Sequence, residues 1–286
     1  MHLLSINWNP SEVLVSLGPV QIRYYSLMFI IAFSLGYYIM KKIYNHEGID
    51  LKYLDSLFMY TVIATLLGAR LGEVFFYNWP YYQDHLVEIL LPIKEDPNAT
   101  LLGFIDGYKF TGFAGLASHG AAIGIITAMY LYRRKYKYKT LLWILDRVVI
   151  PVAIGGVFVR LGNFFNSEIV GKYTNSDFGV VFQGRGDTLP RHPAQLYEAI
   201  CYVFVFAILW YVYWKTDKKD KHGYIFGLFL VLLWTVRFFV EFVKKAQVEA
   251  REEWLLLTGQ WLSIPFIIAG LYFMFRETNN SNTTTA

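Results

Sequence analysis

Arg160, Asn163 and Asn166 interrupt a long apolar run near the middle of the chain, and Glu168 and Gly171 follow them. At a spacing of three residues the first three share one broad face of a helix. An arginine and two amides turned toward lipid are expensive, so that face must line a protein interior or a wet cavity. A guanidinium is a planar, permanently charged fork suited to a phosphate held away from water. Arg237, four residues before Glu241, and Arg70, three before Glu73, could add to such a site. The competing reading pairs each arginine with a nearby carboxylate: Arg160 with Glu168, Arg237 with Glu241, Arg70 with Glu73.

His119 stands in the Gly/Ala-rich stretch TGFAGLASHGAAIG. An imidazole with an ordinary pKa of ~6.5 can take up a proton near neutral pH, and a satisfied structural histidine fits the same residues equally well. Ser118 is next to it, but adjacent residues on a helix do not face each other, which argues against a Ser–His dyad. In RHPAQLYEA (Arg191–Ala199) the proline suits a first helical turn, and His192 reads as a loop-to-helix anchor. The six histidines form no close pair, and the single cysteine, Cys201, allows neither a disulfide nor a thiolate cluster. No metal and no organic cofactor is expected.

The elements that carry these residues follow from composition. Charged residues make up 17% of the 286, against the roughly 25% usual for soluble domains, and mean hydropathy is +0.35. The chain reads as an all-α integral membrane protein. Seven runs are long enough to span a ~30 Å hydrocarbon core: about 22–43, 54–77, 112–132, 141–164, 194–214, 223–242 and 254–275. Lys41, Lys42 and Lys52, then Arg133 to Lys139, then Lys215 to Lys221 follow the first, third and fifth runs. The positive-inside rule then puts the N-terminus outside and the C-terminus inside, with Lys244, Lys245 and Arg251 weakening the pattern. A single membrane domain over residues 1–276 is expected, with outer loops at about 78–111 and 166–193 and a disordered polar tail over 277–286. No removable signal peptide and no nucleic-acid partner is expected; the net charge of +4 informs topology instead.

In this topology Tyr25, Arg70, Glu73, His119, Arg160, Arg237 and Glu241 come from five runs and fall in the outer half of the bilayer, His119 about two turns in. A shared polar cavity open to that side accounts for them economically.

RLGNFFNSEIVG, RHPAQLYEA, GPVQIRYYSLMF, GARLGEVFFYN and SHGAAIG together resemble the bacterial phosphatidylglycerol–prolipoprotein diacylglyceryl transferase family, in the family's order and over nearly the whole chain, from Gly18 to Pro265. The resemblance implies a seven-span enzyme of the bacterial inner (cytoplasmic) membrane with its active site facing the periplasm. It implies transfer of the diacylglyceryl group of phosphatidylglycerol to the lipobox cysteine of a prolipoprotein signal peptide, with release of glycerol 1-phosphate.

It also implies roles. Arg160 corresponds to the lipid-binding arginine, and Asn163, Asn166, Glu168 and Gly171 complete its signature. His119 and Tyr25 match the essential histidine and tyrosine, and Arg237 and Glu241 the second arginine and its acidic neighbour; Arg70 is a further lipid-binding candidate from its charge alone, not from the resemblance. Three positions depart from the family pattern: Val159 and Ala121 replace glycines, and Leu233, beside Trp234, replaces a tyrosine, so no catalytic tyrosine is assigned there. The chemistry fits these residues. A thiol of pKa ~8.5 needs a base, for which His119 is the candidate, and the departing phosphate monoester needs the charge of Arg160 and Arg237. Tyr25 would orient the headgroup or relay the proton. A monomer in contact with membrane lipid is expected. The alternatives are a membrane phospholipase or acyltransferase, for which Ser118 and Cys201 are poorly placed nucleophiles, and a multispan transporter, for which no internal repeat is visible.

Overall fold

The computed structural model describes residues 4–17, 20–101, 103–112, 115–245 and 256–277. The expected tail beyond residue 277, Gly18, Arg251 and the start of the seventh apolar run lie outside them. Among the described residues, seven long helices lie along the apolar runs: α1 (Tyr24–His46), α2 (Leu51–Phe76), α3 (Ser118–Lys135), α4 (Leu141–Phe165), α5 (Ala194–Lys215), α6 (Tyr224–Val240) and α7 (Thr258–Phe275). Five segments, Tyr24–His46, Leu51–Phe76, Leu141–Phe165, Ala194–Lys215 and Tyr224–Val243, are long and apolar enough to cross a membrane. The chain is a mostly helical, multipass integral membrane protein.

Among the described residues three two-stranded sheets, which the apolar periodicity does not announce, accompany the helices. β1 (Leu4–Trp8) pairs in parallel with β6 (Phe178–Phe182), Leu4 opposite Phe178 and Trp8 opposite Phe182. β2 (Val13–Leu17) pairs with β3 (Val20–Arg23), and β4 (Ile93–Leu101) runs antiparallel to β5 (Ile105–Phe110).

The chain divides into two compact units. One comprises residues 1–14, 23–43 and 142–286. Its helix core packs Val157 of α4 on Ala199 and Tyr202 of α5, with Leu233 and Val236 of α6 against them. A second cluster, Phe164, Val170, Val180 and Phe182, joins the end of α4 to the β1–β6 pair, and the Trp8 indole closes it by donating to the Phe164 carbonyl at 3.0 Å. Asp146 of α4, fully buried, caps the start of α6 by accepting from the Gly223 and Phe226 amides at 2.6 and 2.8 Å. That satisfies amides which a helix start otherwise leaves orphaned.

The other unit comprises residues 15–22 and 44–141. α2 and α3 touch backbone to backbone: a Cβ at Gly68 would stand 2.5 Å from the Gly120 carbonyl oxygen, and one at Gly72 2.6 Å from the Gly120 Cα. Helices this close gain dispersion contacts that bulkier residues prevent. α3 begins at Ser118, six residues after the expected start of its apolar run, because the backbone is left-handed at Gly112 (φ 68°) and Gly115 (φ 79°) and no helix continues through that conformation. His119 therefore lies in the first turn of its helix, a correction to the two turns expected.

Candidate functional site

Regular helix ends at Phe165, and the following residues fold back on α4. The Asn166 and Glu168 amides donate to the Gly162 and Asn163 carbonyls at 3.0 and 2.8 Å. Ser167 and Ile169 then take left-handed backbone, φ 54° and 56°. For a β-branched isoleucine this is a genuine outlier, which persists only where the surroundings impose it. Two side chains do so by holding carbonyls of the segment: Arg185 donates to Ser167 O at 3.0 Å, and Gln195 donates to Glu168 O at 2.5 Å.

The fold-back turns the Glu168 carboxylate toward the polar face of α4. It accepts from Asn163 Nδ2 at 3.0 Å and from Asn166 Nδ2 at 3.1 Å, while Asn163 Oδ1 accepts from Arg160 Nη1 at 3.0 Å. Arg160 is buried, and its Nε forms an ion pair with Glu198 of α5 at 2.6 Å. The other Glu198 oxygen accepts from Lys244 Nζ at 2.8 Å, and Lys244 also lies 3.8 Å from Glu241. Tyr25 of α1 joins the group. Its phenol interacts with Glu168, Arg160 and Asn163, and its ring covers Gly162, where a Cβ would stand 2.6 Å from Tyr25 Cδ2.

Arg237 stands in the same unit, coupled electrostatically to Tyr202 and Lys244, with its guanidinium 5.2 Å from the Trp234 ring. Among the described residues it forms no ion pair or hydrogen bond, and its Nε is buried without a partner. Asn166 Oδ1 and Gln195 Oε1 are likewise buried and unpartnered. Gly171 closes the segment. Its amide donates to the His192 carbonyl at 2.9 Å, and it bridges Lys244, so a side chain there would strike the carbonyls of His192 and Val243.

Tyr25, Arg160, Asn163, Asn166, Glu168, Gly171, Arg237 and Glu241 are thus all in one unit, the first six joined by direct contacts or adjacent backbone. None of the arginine–carboxylate pairs of the competing reading forms among the described residues. Arg160 takes Glu198 instead of Glu168, and Glu241 approaches Lys244 instead of Arg237. In the other unit Arg70 donates to the backbone carbonyls of Glu88 (2.6 Å) and Ile89 (3.1 Å), while Glu73 accepts from Asn78. Arg70 thereby anchors the segment after α2. His119 is exposed in the first turn of α3. His192 faces Tyr197, 3.2 Å from its hydroxyl, as an anchor would.

Sequence reasoning passed over Glu198, Lys244, Gln195, Tyr202 and Gly162. Glu198 and Gln195 lie inside a quoted motif, yet nothing local marks them as buried. In sequence Lys244 reads as a loop charge; in the structure it is 5% exposed and ion-paired with Glu198. A lysine three residues beyond Glu241 at the end of an apolar run was the available clue.

A family model described as prolipoprotein diacylglyceryl transferase matches residues 12–276. A phosphatidylglycerol–prolipoprotein diacylglyceryl transferase of Bacteroides fragilis is 44% identical over 273 residues, covering 96% of this chain and 95% of that protein. Proteins of the same name from Tolumonas auensis and Chloroherpeton thalassium are 42% and 39% identical, with 93% and 95% of this chain covered and 95% and 94% of theirs.

Proposed function

The chain belongs to the prolipoprotein diacylglyceryl transferase family, and from that premise we propose that it moves the diacylglyceryl group of phosphatidylglycerol onto the lipobox cysteine of prolipoprotein signal peptides. The cysteine thiolate attacks the terminal glyceryl carbon. A carbon–sulfur bond forms, the carbon–oxygen bond to phosphate breaks, and glycerol 1-phosphate leaves with the electron pair.

The observation that carries this reading is the cluster around Arg160. In it Glu198, Glu168 and Glu241 balance three cations, Arg160, Arg237 and Lys244, and Arg237 is left without an ion pair among the described residues. An arginine so placed suits an incoming phosphate and the charge that grows on it as the bond breaks. The unpaired Arg237 Nε is a donor for phosphate. The unpaired Asn166 and Gln195 oxygens are acceptors for the free hydroxyls of a glycerol headgroup. Tyr25, held among Glu168, Arg160 and Asn163, orients that headgroup. His119 is the proposed base for the thiol. Glu168 and Glu241 position the cations, and Gly171 admits the backbone crossing behind them.

The remaining parts of the reading are topological. Seven helices span the bacterial inner membrane, the N-terminus and the loops 78–111 and 166–193 are periplasmic, the C-terminus is cytoplasmic, and the enzyme works as a monomer.

The test is a two-substrate assay. Membranes receive phosphatidylglycerol labelled in its headgroup glycerol, with or without a lipobox peptide. Labelled glycerol phosphate released only with the peptide, as the peptide gains a diacylglyceryl thioether, is the expected result. Release without peptide would make the protein a lipase, and no product with both would leave a non-enzymatic role; either overturns the proposal.

A further inference from the structure

One histidine, unpaired with any other among the described residues, meets two carboxylates. His85, Glu88 and Glu95 form the pattern H-x2-E-x6-E between α2 and α3. The Glu88 amide donates to the His85 carbonyl at 3.1 Å, which places the two residues one turn apart, and Glu95 lies on β4. One ligand-capable atom from each lies within 4.8 Å of the other two. His85 Nε2 and Glu95 Oε2 are 3.3 Å apart. Two ligands on a tetrahedral zinc, at bonds of about 2.0–2.1 Å, stand roughly 3.3 Å apart.

The surroundings are built as those of metal ligands are. His85 Nδ1 is 2.9 Å from the Tyr81 carbonyl oxygen, which can only accept, so Nδ1 holds a proton. The ring also stacks on Tyr81, centroids 4.2 Å apart and planes 7° from parallel. In a neutral imidazole Nε2 is then a bare lone pair aimed at a carboxylate oxygen. Two acceptors at that distance repel unless a cation, proton or metal, lies between them. Glu88 is 3% exposed, and its carboxylate accepts from the Tyr81 hydroxyl at 2.8 Å and from the Glu95 amide at 2.7 Å. Each oxygen keeps a free lone pair, and among the described residues no cationic side chain meets this carboxylate. A buried carboxylate without a counter-charge is costly. Arg70 fixes the Glu88 backbone from α2. The Tyr81 carbonyl orients the His85 ring and two donors hold Glu88, as the outer contacts of metal sites do.

We infer that His85, Glu88 and Glu95 bind one divalent transition metal, with zinc the best match. Two carboxylates and a neutral imidazole balance its charge, and the nitrogen donor favours zinc over magnesium or calcium. The site lies in the segment between α2 and α3, shares no residue with the Arg160 cluster, and does not depend on the transferase reading.

The test uses the full chain in detergent, stripped with EDTA and titrated with zinc chloride against a chromophoric zinc indicator. His85→Gln and Glu95→Gln are titrated alongside; Glu95 is exposed, so its variant keeps the fold, which a thermal melt without zinc verifies. The inference expects the wild-type chain to bind one equivalent more than either variant. No such difference, or an equivalent that survives either substitution, overturns it.

Discussion

Arg160 and Glu198 form an ion pair at 2.6 Å that ties α4 to α5, and both are buried. Removing one partner of a buried pair leaves the other uncompensated, at a cost of about 3–5 kcal/mol. We expect Arg160→Ala to reduce transfer by roughly 100-fold or more, with a lower melting temperature. Arg160→Lys is expected to recover little, because an ammonium cannot reproduce the fork that reaches both Glu198 and Asn163. The two-substrate assay and a melt in detergent measure both effects. Full activity in Arg160→Ala would remove this residue from the phosphate site.

Gly162 and Tyr25 separate position from chemistry. A methyl group at Gly162 would stand 2.6 Å from the Tyr25 ring, so Gly162→Ala should displace that ring. Displacements near 1 Å can cost about 100-fold in rate. Tyr25→Phe leaves the ring and removes only the hydroxyl. If the hydroxyl acts on the headgroup, both variants lose activity. Loss confined to Gly162→Ala would make Tyr25 a packing residue.

Lys244 predicts an alkaline limit. Burial, with Arg160 and Arg237 nearby, holds its ammonium below the ordinary 10.5, while Glu198 pulls upward. The folded value lies under the unfolded one. The penalty on the charged form is therefore present at low pH and relieved as pH approaches 10.5, and the site's positive charge is lost over that same window. The KM for phosphatidylglycerol should rise before pH 10.5, and Lys244→Arg should move that rise to higher pH, since arginine stays charged. An identical profile in the two enzymes would exclude Lys244 from headgroup binding.

The α2–α3 contact sets stability. A side chain at Gly68 or Gly120 would overlap backbone on the facing helix. Gly68→Val should destabilise by about 1–3 kcal/mol, the usual range for overpacking, whereas Leu67→Val, on an exposed position next to it, should change little. Equal melting temperatures in detergent would show that the two helices separate at small cost.

What the sequence made legible follows from how each signal is carried. The helices were readable because apolar length is a local property, and the α4 signature because an arginine and two asparagines cannot face lipid at helical spacing. The strands were not, since β1 and β6 are short and pair across some 170 residues. Glu198 and Lys244 were also hidden. Each is an ordinary charged residue in sequence, and only packing brings both onto one carboxylate–ammonium contact beside Arg160. The late start of α3 could have been anticipated from the glycines at 112 and 115, had they been weighed as backbone rather than as small side chains.

Ser167 and Ile169 flank Glu168 in a conformation that neither residue favours, and the grip that keeps them there comes from Arg185 and Gln195. Damage at either of these supports would let the segment relax and swing the carboxylate off its asparagines. Such a mutant would mimic the loss of Glu168 itself, although neither supporting side chain touches that acid group.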